Sequence, residues 1–535
     1  MQRAIIRAML KKLPIGKQTF SEIIEDNCLY VDKTACIYEL LSSGSKAHFL
    51  SRPRRFGKSL LVSTLGAIFR NKRHLFKGLW IDSSDYVWKE YPVINLDISA
   101  IEKDTSENLY KGLKSAISDI AENHSVKLDC SGGPSRMFQL LIHELAKKYG
   151  EKVVVLVDEY DDPIIKHVTR PEMAAKNREV LHDFYKIMKS EDANLRFIFL
   201  TGVSKFAKTS IFSGLNNLVN ISMQEKYSAL LGITQEELNS NFAEYIDLVA
   251  EKRSISRSTL LAKIKYWYNG YRFSKSETKV YNPFSTLCFF NEGEFHNFWF
   301  ESGTPTYLVE LIKLNSPDIE EYEGEVTIID NYLKSYDVDS VPLLPILYDT
   351  GYLTIKDFSV RNDITRYTLC YPNFEVKNSL IESLLKVYID EKRPERANAI
   401  TEALEDAILE NDLEKFFSLL KPFFASIPYE VIPVKNLNEK YFQLVFYLLM
   451  RVTSFRVNTE DRTSSGRIDL VLENDSDIYL FEFKVDSSPE AALKQIKDKK
   501  YYEKYSNIPH KQLHIIGINF NSLERNIDGY LIETL

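Results

Sequence analysis

The sequence predicts an α/β protein: a parallel sheet covered by helices on both faces, a helical middle, and a second α/β domain toward the C-terminus. Three observations predict it. Over residues 45–205, short apolar strands alternate with segments of helix length, the order that builds a parallel sheet. Within that stretch VVVLV (153–157) and FIFLTG (197–202) are apolar runs, as expected of strands buried on both faces. Late in the chain, two strand-like runs at 466–472 and 478–485 flank the polar turn 473–477, which reads as a hairpin.

The elements follow in order. HFL (48–50) is a strand that leads through a loop into a helix from about Lys58 to Arg70. VINLDIS (93–99) is a strand, and helices are expected over 104–122, 135–149 and 172–190. Residues 206–375 change texture. Helical patterns at 234–250 and 257–267 alternate with the aromatic clusters WYNGYRF (267–273), YNPFSTLCFF (281–290) and FHNFWF (295–300), and short strands are expected near 352–355 and 367–372. Segment 377–425 reads as helical. A helix at 438–452 precedes strand–strand–helix–strand signals.

Composition narrows the class. The 535 residues are 44% hydrophobic and 27% charged, with only 20 Gly and 18 Pro, which excludes disordered and collagen-like chains. The net charge of −7 hides an asymmetry: residues 1–80 hold 15 Lys and Arg against 5 Asp and Glu. A local basic surplus of this kind calls for phosphate or for a plain solvated face. Cys28, Cys36, Cys130, Cys288 and Cys370 form no CxxC pair, so a reducing, cytoplasmic setting is expected rather than a disulfide or zinc framework. No apolar stretch is long enough for a membrane-spanning helix.

Ser51-Arg52-Pro53-Arg54-Arg55-Phe56-Gly57-Lys58-Ser59 follows a strand and opens a helix. Gly57-Lys58-Ser59 match the second half of a phosphate-binding loop, while Arg52 stands where the first Gly is expected. Gly57 lets backbone approach phosphate, Lys58 reaches the terminal phosphates, and Ser59 offers a hydroxyl to Mg²⁺; the helix N-terminus adds unpaired N–H groups. Arg54, Arg55 and Phe56 complete the expected nucleotide-contacting loop, with the two arginines able either to pair with phosphate oxygens or simply to face solvent. About 100 residues later the strand 153–157 ends in Asp158-Glu159. Asp158 is the expected Mg²⁺ carboxylate and Glu159 the expected water-orienting one. Thr201, at the tip of the strand 197–202, is expected either to sense the γ-phosphate or to serve as a plain strand-end cap.

RPRRFGKSLL, VVVLVDEYDDP, FLTGVSKF and YNGYRF…VYNPFS together resemble the bacterial AAA-ATPase-like family that carries a C-terminal PD-(D/E)XK nuclease domain. The resemblance spans nearly the whole chain from about Leu13. It implies an AAA-like P-loop NTPase domain at 1–230, a helical, aromatic-rich, winged-helix-like lid at 231–376, a helical connector at 377–430, and a restriction-endonuclease-like domain at 431–535. It also implies ATP binding, and it makes the Arg-rich loop a family trait.

The 466–495 region carries the second constellation. Glu482 and Lys484 stand two apart on one strand and so share a face, and the hairpin brings Asp469 toward Glu482. Two carboxylates and a lysine on one half-buried face are costly unless a divalent metal sits between Asp469 and Glu482. This D…ExK arrangement is that of PD-(D/E)XK nucleases, with Lys484 positioning water or stabilising developing charge. Gln495 on the following helix is expected near the metal, and Glu439, on the helix before the sheet, as a further carboxylate ligand. Mg²⁺ is the expected ion, Mn²⁺ an alternative at the nuclease site. The helix KQIKDKKYYEKY (494–505) offers lysines interleaved with tyrosines, either to track a nucleic-acid backbone or as a solvated face. The leading expectation is an ATP-binding module coupled to a metal-dependent nuclease acting on nucleic acid, DNA before RNA, with homo-oligomers possible. Its rival is a nucleotide-dependent switch whose nuclease-like domain binds without cleaving. A third reading has residues 1–80 binding nucleic acid directly.

Overall fold

The structure, a computed structural model, describes residues 10–205, 215, 217–301, 308, 311, 326–334, 342–388, 394–427, 438–453, 455–463, 466–506 and 508–535. The chain divides into two compact units. One comprises Met1–Leu311 with Glu325–Val376, the other Ile312–Gly324 with Lys377–Leu535. Among the described residues no helix is long and apolar enough to cross a membrane.

The first unit is built on five parallel strands: β1 (Ala47–Ser51), β2 (Val93–Asp97), β3 (Val153–Asp158), β4 (Leu195–Gly202) and β5 (Val219–Asn220), in the order β2-β3-β4-β1-β5. Val153 to Val157 are all fully buried. Val154 and Leu156 pack with Leu61, Leu65 and Ile68 of the helix Lys58–Phe69, so Val153, Val155 and Val157 serve the opposite face. The helices Ser106–Asn123 and Pro134–Tyr149 pack against β2 and β3. Each buried Val or Leu contributes about 1.5–3 kcal/mol, which is why an unalternated run can be a strand only inside such a sandwich. The helix expected over 172–190 is two, Pro171–Tyr185 and Ile187–Ser190.

The middle of this unit packs its aromatic residues inward, with Tyr268, Tyr281 and Phe289 fully buried in one cluster with Leu238, Phe242 and Ile264. The pattern at 234–250 resolves into Gln235–Asn241 and Ala243–Lys252, the first closed by a reciprocal Thr234–Glu237 capping box. Beyond it lie β6 (Val326–Ile329), two helices (Asp330–Lys334 and Leu343–Thr350), β7 (Thr354–Arg361) and β8 (Ile364–Cys370), the strands forming an antiparallel sheet ordered β6-β8-β7. Asn362 and Asp363 join β7 to β8 with φ of 51° and 61°, the signature of a two-residue hairpin turn.

The second unit holds β9 (Arg456–Thr463), β10 (Gly466–Glu473), β11 (Asp477–Val485), β12 (Gln512–Asn521) and β13 (Asn526–Thr534), ordered β13-β12-β11-β10-β9. β11 and β12 are parallel and joined over the helix Pro489–Asp498; the other pairs are antiparallel. Strands β9 and β13 lie outside the expected strand–strand–helix–strand order. The helices Pro394–Leu409 and Leu413–Ser426, expected as a connector, belong to this unit. Phe417 stacks on Tyr530 of β13 at 3.8 Å, and Phe424 packs on Phe442 and Phe520. The expected boundary at 430/431 lies outside the described residues.

Candidate functional site

β1 ends at Ser51, and the loop 52–57 turns the chain into the helix Lys58–Phe69. Gly57, the residue before that helix, has φ 89°, a left-handed conformation that favours glycine. Buried Lys58 lies inside the loop it follows. Its Nζ donates to the carbonyls of Arg52 (3.2 Å) and Pro53 (3.3 Å) and stands 3.3 Å from Glu159 Oε1. Two motifs about 100 residues apart thus meet around one ammonium. β4 lies between β1 and β3, which sets the tips of these three strands side by side.

Asp158 is buried at the end of β3 and hydrogen-bonded to Ser59. Burial pushes its carboxyl up to about 6 and the neighbouring Glu159 charge adds to the rise, while Ser59 and Lys58 oppose it. Glu159 adopts φ 49° and its N–H donates to Asp158 Oδ1 at 3.0 Å. Hydroxyl and carboxylate oxygens here form a hard donor pair of the kind Mg²⁺ takes beside phosphate. Thr201 lies at the tip of β4. It is fully buried, and its hydroxyl donates to the Leu50 carbonyl at 2.8 Å, so its geometry is that of a bond between β4 and β1.

Arg52, at the position of the first loop glycine, faces away from the loop. It is 2% exposed; Nη1 donates to the carbonyls of Ser51 (2.9 Å) and Ser222 (2.8 Å), Nη2 to that of Tyr227 (3.3 Å), and the guanidinium lies 4.1 Å over the Phe273 ring. Burial lowers its pKa to about 10, which leaves it cationic at neutral pH. Phe56, expected to touch nucleotide, is also buried, edge-on to Tyr271 and Phe273 at 4.7 and 5.4 Å. The Arg54 carbonyl accepts from Trp299 Nε1 (3.2 Å), and the Arg55 guanidinium sits 4.6 Å over Phe284. The YNGYRF segment therefore clamps the loop. Beside it, a mainly apolar pocket is lined by Pro14, Leu29, Val31, Gly57, Leu60 and Leu231.

Sequence reasoning left Asp161 unassigned, although it falls within VDEYDDP. It is buried and accepts from the N–H groups of Val203 and Ser204 and from the Ser204 hydroxyl, tying the β3 tip to the β4 tip. The adjoining Lys205 is buried in an ion pair with Asp349 at 2.6 Å. The helix Leu343–Thr350 is thereby joined to the strand tips.

In the second unit, β10 and β11 pair from Leu470 with Phe481 to Glu473 with Ile478, and Asp469 and Glu482 are the next residue of each strand. Asp469 Oδ2 accepts the Phe483 N–H at 2.8 Å, and Gln443, a residue the sequence reading passed over, donates to the Asp469 carbonyl at 3.2 Å. Glu482 is 1% exposed. Its Oε1 accepts from Gln495 Nε2 and lies 3.6 Å from Lys484 Nζ, while its Oε2 is buried without a hydrogen-bond partner. Glu439 lies 3.5 Å from Lys484 Nζ, so the structure brings it to the lysine as a counter-charge. Among the described residues no group of three His, Cys, Asp or Glu side chains is poised to hold a metal, and the donors at hand are Asp469 and Glu482. Both are oxygen ligands that fit a hard divalent cation, and the orphaned Oε2 is the observation that favours one.

Burial pushes the Glu482 carboxyl up to about 8, Asp469 adding to the rise. The folded state therefore keeps a proton that an unfolded carboxyl near 4.5 would release. Stability carried by that proton is complete below about pH 4.5 and is lost as pH rises toward 8. Glu482→Gln, uncharged at every pH, is expected to raise the metal-free melting temperature at pH 8 and to leave it near wild type at pH 4.5. Calorimetric melting with chelator at the two pH values checks this; an equal effect at both rejects it.

The lysine–tyrosine stretch does not present a stacking surface. The helix ends at Asp498, Tyr501 and Tyr505 are buried in the core beside Ile468 and Ile496, and Lys504 and Lys497 pair with Asp461 and Glu533.

A predicted AAA-ATPase family model matches residues 14–212, and a PD-(D/E)XK nuclease superfamily model matches residues 437–529. A protein of Azotobacter chroococcum mcd 1, described as "Uncharacterized protein in vnfD 5'region", is 38% identical over 538 residues, covering 98% of this chain and 99% of that one. The chain belongs to the AAA-ATPase-like family with a C-terminal PD-(D/E)XK nuclease-superfamily domain. Two solved structures are similar at a low level. One is the ORC2 protein of Aeropyrum pernix (12% identity, TM-score 0.28, 66% of this chain and 92% of that one). The other is Cdc6p of Pyrobaculum aerophilum (10%, TM-score 0.25, 65% and 93%). In this AAA-ATPase-like protein both matched regions contain the constellations described above.

Proposed function

We propose that this protein is an ATP-binding AAA-like module coupled to a metal-dependent nuclease that cleaves phosphodiesters of nucleic acid, DNA in preference to RNA. The buried, unpartnered Glu482 Oε2 beside Asp469 and Lys484 carries the nuclease half of the reading. Asp469 and Glu482 would hold Mg²⁺ or Mn²⁺, which when bound polarises a scissile phosphate and acidifies a water ligand. Lys484 places a positive charge next to that pair, where charge develops on the phosphate. Gln495 holds one oxygen of Glu482 and so orients the other.

At the other site Gly57 and the first-turn N–H groups of the helix Lys58–Phe69 face phosphate, because no intrahelical acceptor exists for them. Lys58 would exchange its Arg52 and Pro53 carbonyls for phosphate oxygens, Ser59 and Asp158 would hold the ion, and Glu159 would orient water. The apolar pocket beside Gly57 suits the base. A cytoplasmic protein that assembles with further copies of itself fits this reading.

Lys58→Ala is expected to weaken ATP binding by about 2–3 kcal/mol, on the order of 50-fold, since the lysine would supply charge-assisted bonds to phosphate. Calorimetric titration of wild type and variant decides it, and equal affinity rejects the phosphate loop. Incubating the full chain with single- and double-stranded DNA and RNA, with each ion and with or without ATP, tests the whole proposal. An uncut set of substrates refutes the nuclease half, and cleavage indifferent to ATP refutes the coupling.

A further inference from the structure

Gln495 reaches Glu482 from a helix side chain with three rotatable bonds, so something must hold its amide in place. Tyr501 is in position to do so. It is 3% exposed, and its hydroxyl lies beside the Gln495 side chain and the Arg467 backbone, both of which act to lower its pKa against the rise that burial causes. The ring fits because residue 466 is glycine: a Cβ there would lie 2.6 Å from the Tyr501 hydroxyl oxygen and 3.2–3.3 Å from ring carbons. Gly466 and Arg467 open β10, the strand that carries Asp469. Tyr501 begins a short 3-10 turn that follows the helix of Gln495, and Lys500 before it takes φ 52°, which turns the chain back toward the sheet. The hydroxyl thus bridges the two elements that supply Asp469 and Gln495.

We propose that Tyr501 is a positioning residue of this site. Its hydroxyl holds the Gln495 amide against Glu482 Oε1, which leaves Oε2 as the oxygen that meets a divalent cation. The role rests on the metal-dependent reading of Asp469 and Glu482. It is a support one layer behind the ligand: Tyr501 fixes Gln495, Gln495 fixes Glu482. Supports of this kind typically change metal affinity or activity by 10–100-fold when removed. A tyrosine serving only the core would act through its ring, which phenylalanine keeps.

Tyr501→Phe in the full chain is the test, with Tyr502→Phe as the neighbouring control and Mn²⁺ as the probe. Calorimetric titration of Mn²⁺ is expected to show about 10-fold weaker binding in Tyr501→Phe and no change in Tyr502→Phe, with the melting temperature of both close to wild type. Mn²⁺ affinity of Tyr501→Phe within twofold of wild type overturns the role of Tyr501 and leaves the nuclease reading standing. Failure of wild type to bind Mn²⁺ in a way that Glu482→Gln abolishes overturns the nuclease reading and this role together.

Discussion

Lys484→Ala is expected to slow phosphodiester cleavage by on the order of 10³-fold while leaving the fold in place. A preorganised cation aimed at developing charge in a water-poor site is worth roughly 3–4 kcal/mol of barrier. Lys484 has that placement: its Nζ stands 3.6 Å from Glu482 and 3.5 Å from Glu439, with its side chain 21% exposed. The fold tolerates its loss because Glu482, already held up to about 8 by burial, can keep its proton instead of demanding a counter-charge. The measurement is a cleavage time course at saturating Mg²⁺ and Mn²⁺, with melting curves on the same samples. Equal rates for wild type and Lys484→Ala would remove the lysine from the chemistry and leave the nuclease-like domain as a binding module.

Arg52→Gly restores the common phosphate-loop pattern, and it is expected to destabilise the first unit by about 3–5 kcal/mol. The substitution removes a buried cation whose guanidinium is bonded to three backbone carbonyls and stacked on Phe273. It leaves the carbonyls of Ser222 and Tyr227 without this donor and a void where the side chain was, and each of these costs stability. All four tryptophans, Trp80, Trp88, Trp267 and Trp299, belong to the first unit. Denaturation followed by tryptophan fluorescence therefore reports this unit alone. A variant as stable as wild type that binds ATP more tightly would show that position 52 wants glycine after all.

The contrast between what the chain announces and what it conceals follows from the range of the forces involved. The strand 153–157, the helix opening at Lys58 and the hairpin of Asp469 and Glu482 were legible because burial on both faces, helix initiation and strand alternation each leave a mark within a few neighbouring residues. The pairing of Gly57-Lys58-Ser59 with Asp158-Glu159 was legible because the chemistry of phosphate and Mg²⁺ demands those residue types together. Strands β9 and β13 were missed: Arg456–Thr463 has Val457 as its one apolar residue and sits at a sheet edge, where one flank has no strand partner and a sustained apolar period is not needed.

By itself, then, the sequence determined the α/β class, the order of its main helices and strands, and the residue types at both candidate sites, because each depends on local pattern or on fixed chemical requirements. Only the tertiary structure decided where those side chains point. Arg52 stands in the chain where a phosphate loop has its first Gly and is a buried strut in the fold, since its partners Ser222, Tyr227 and Phe273 lie about 170 to 220 residues away. Thr201 reads equally as a phosphate sensor or a strand-end cap, and its hydroxyl is bonded to Leu50. Tyr501 falls in a stretch that reads either as a nucleic-acid contact or as a solvated face, and it is buried beside Gln495. Long-range hydrogen bonds and close packing choose among directions that a local pattern leaves equally open.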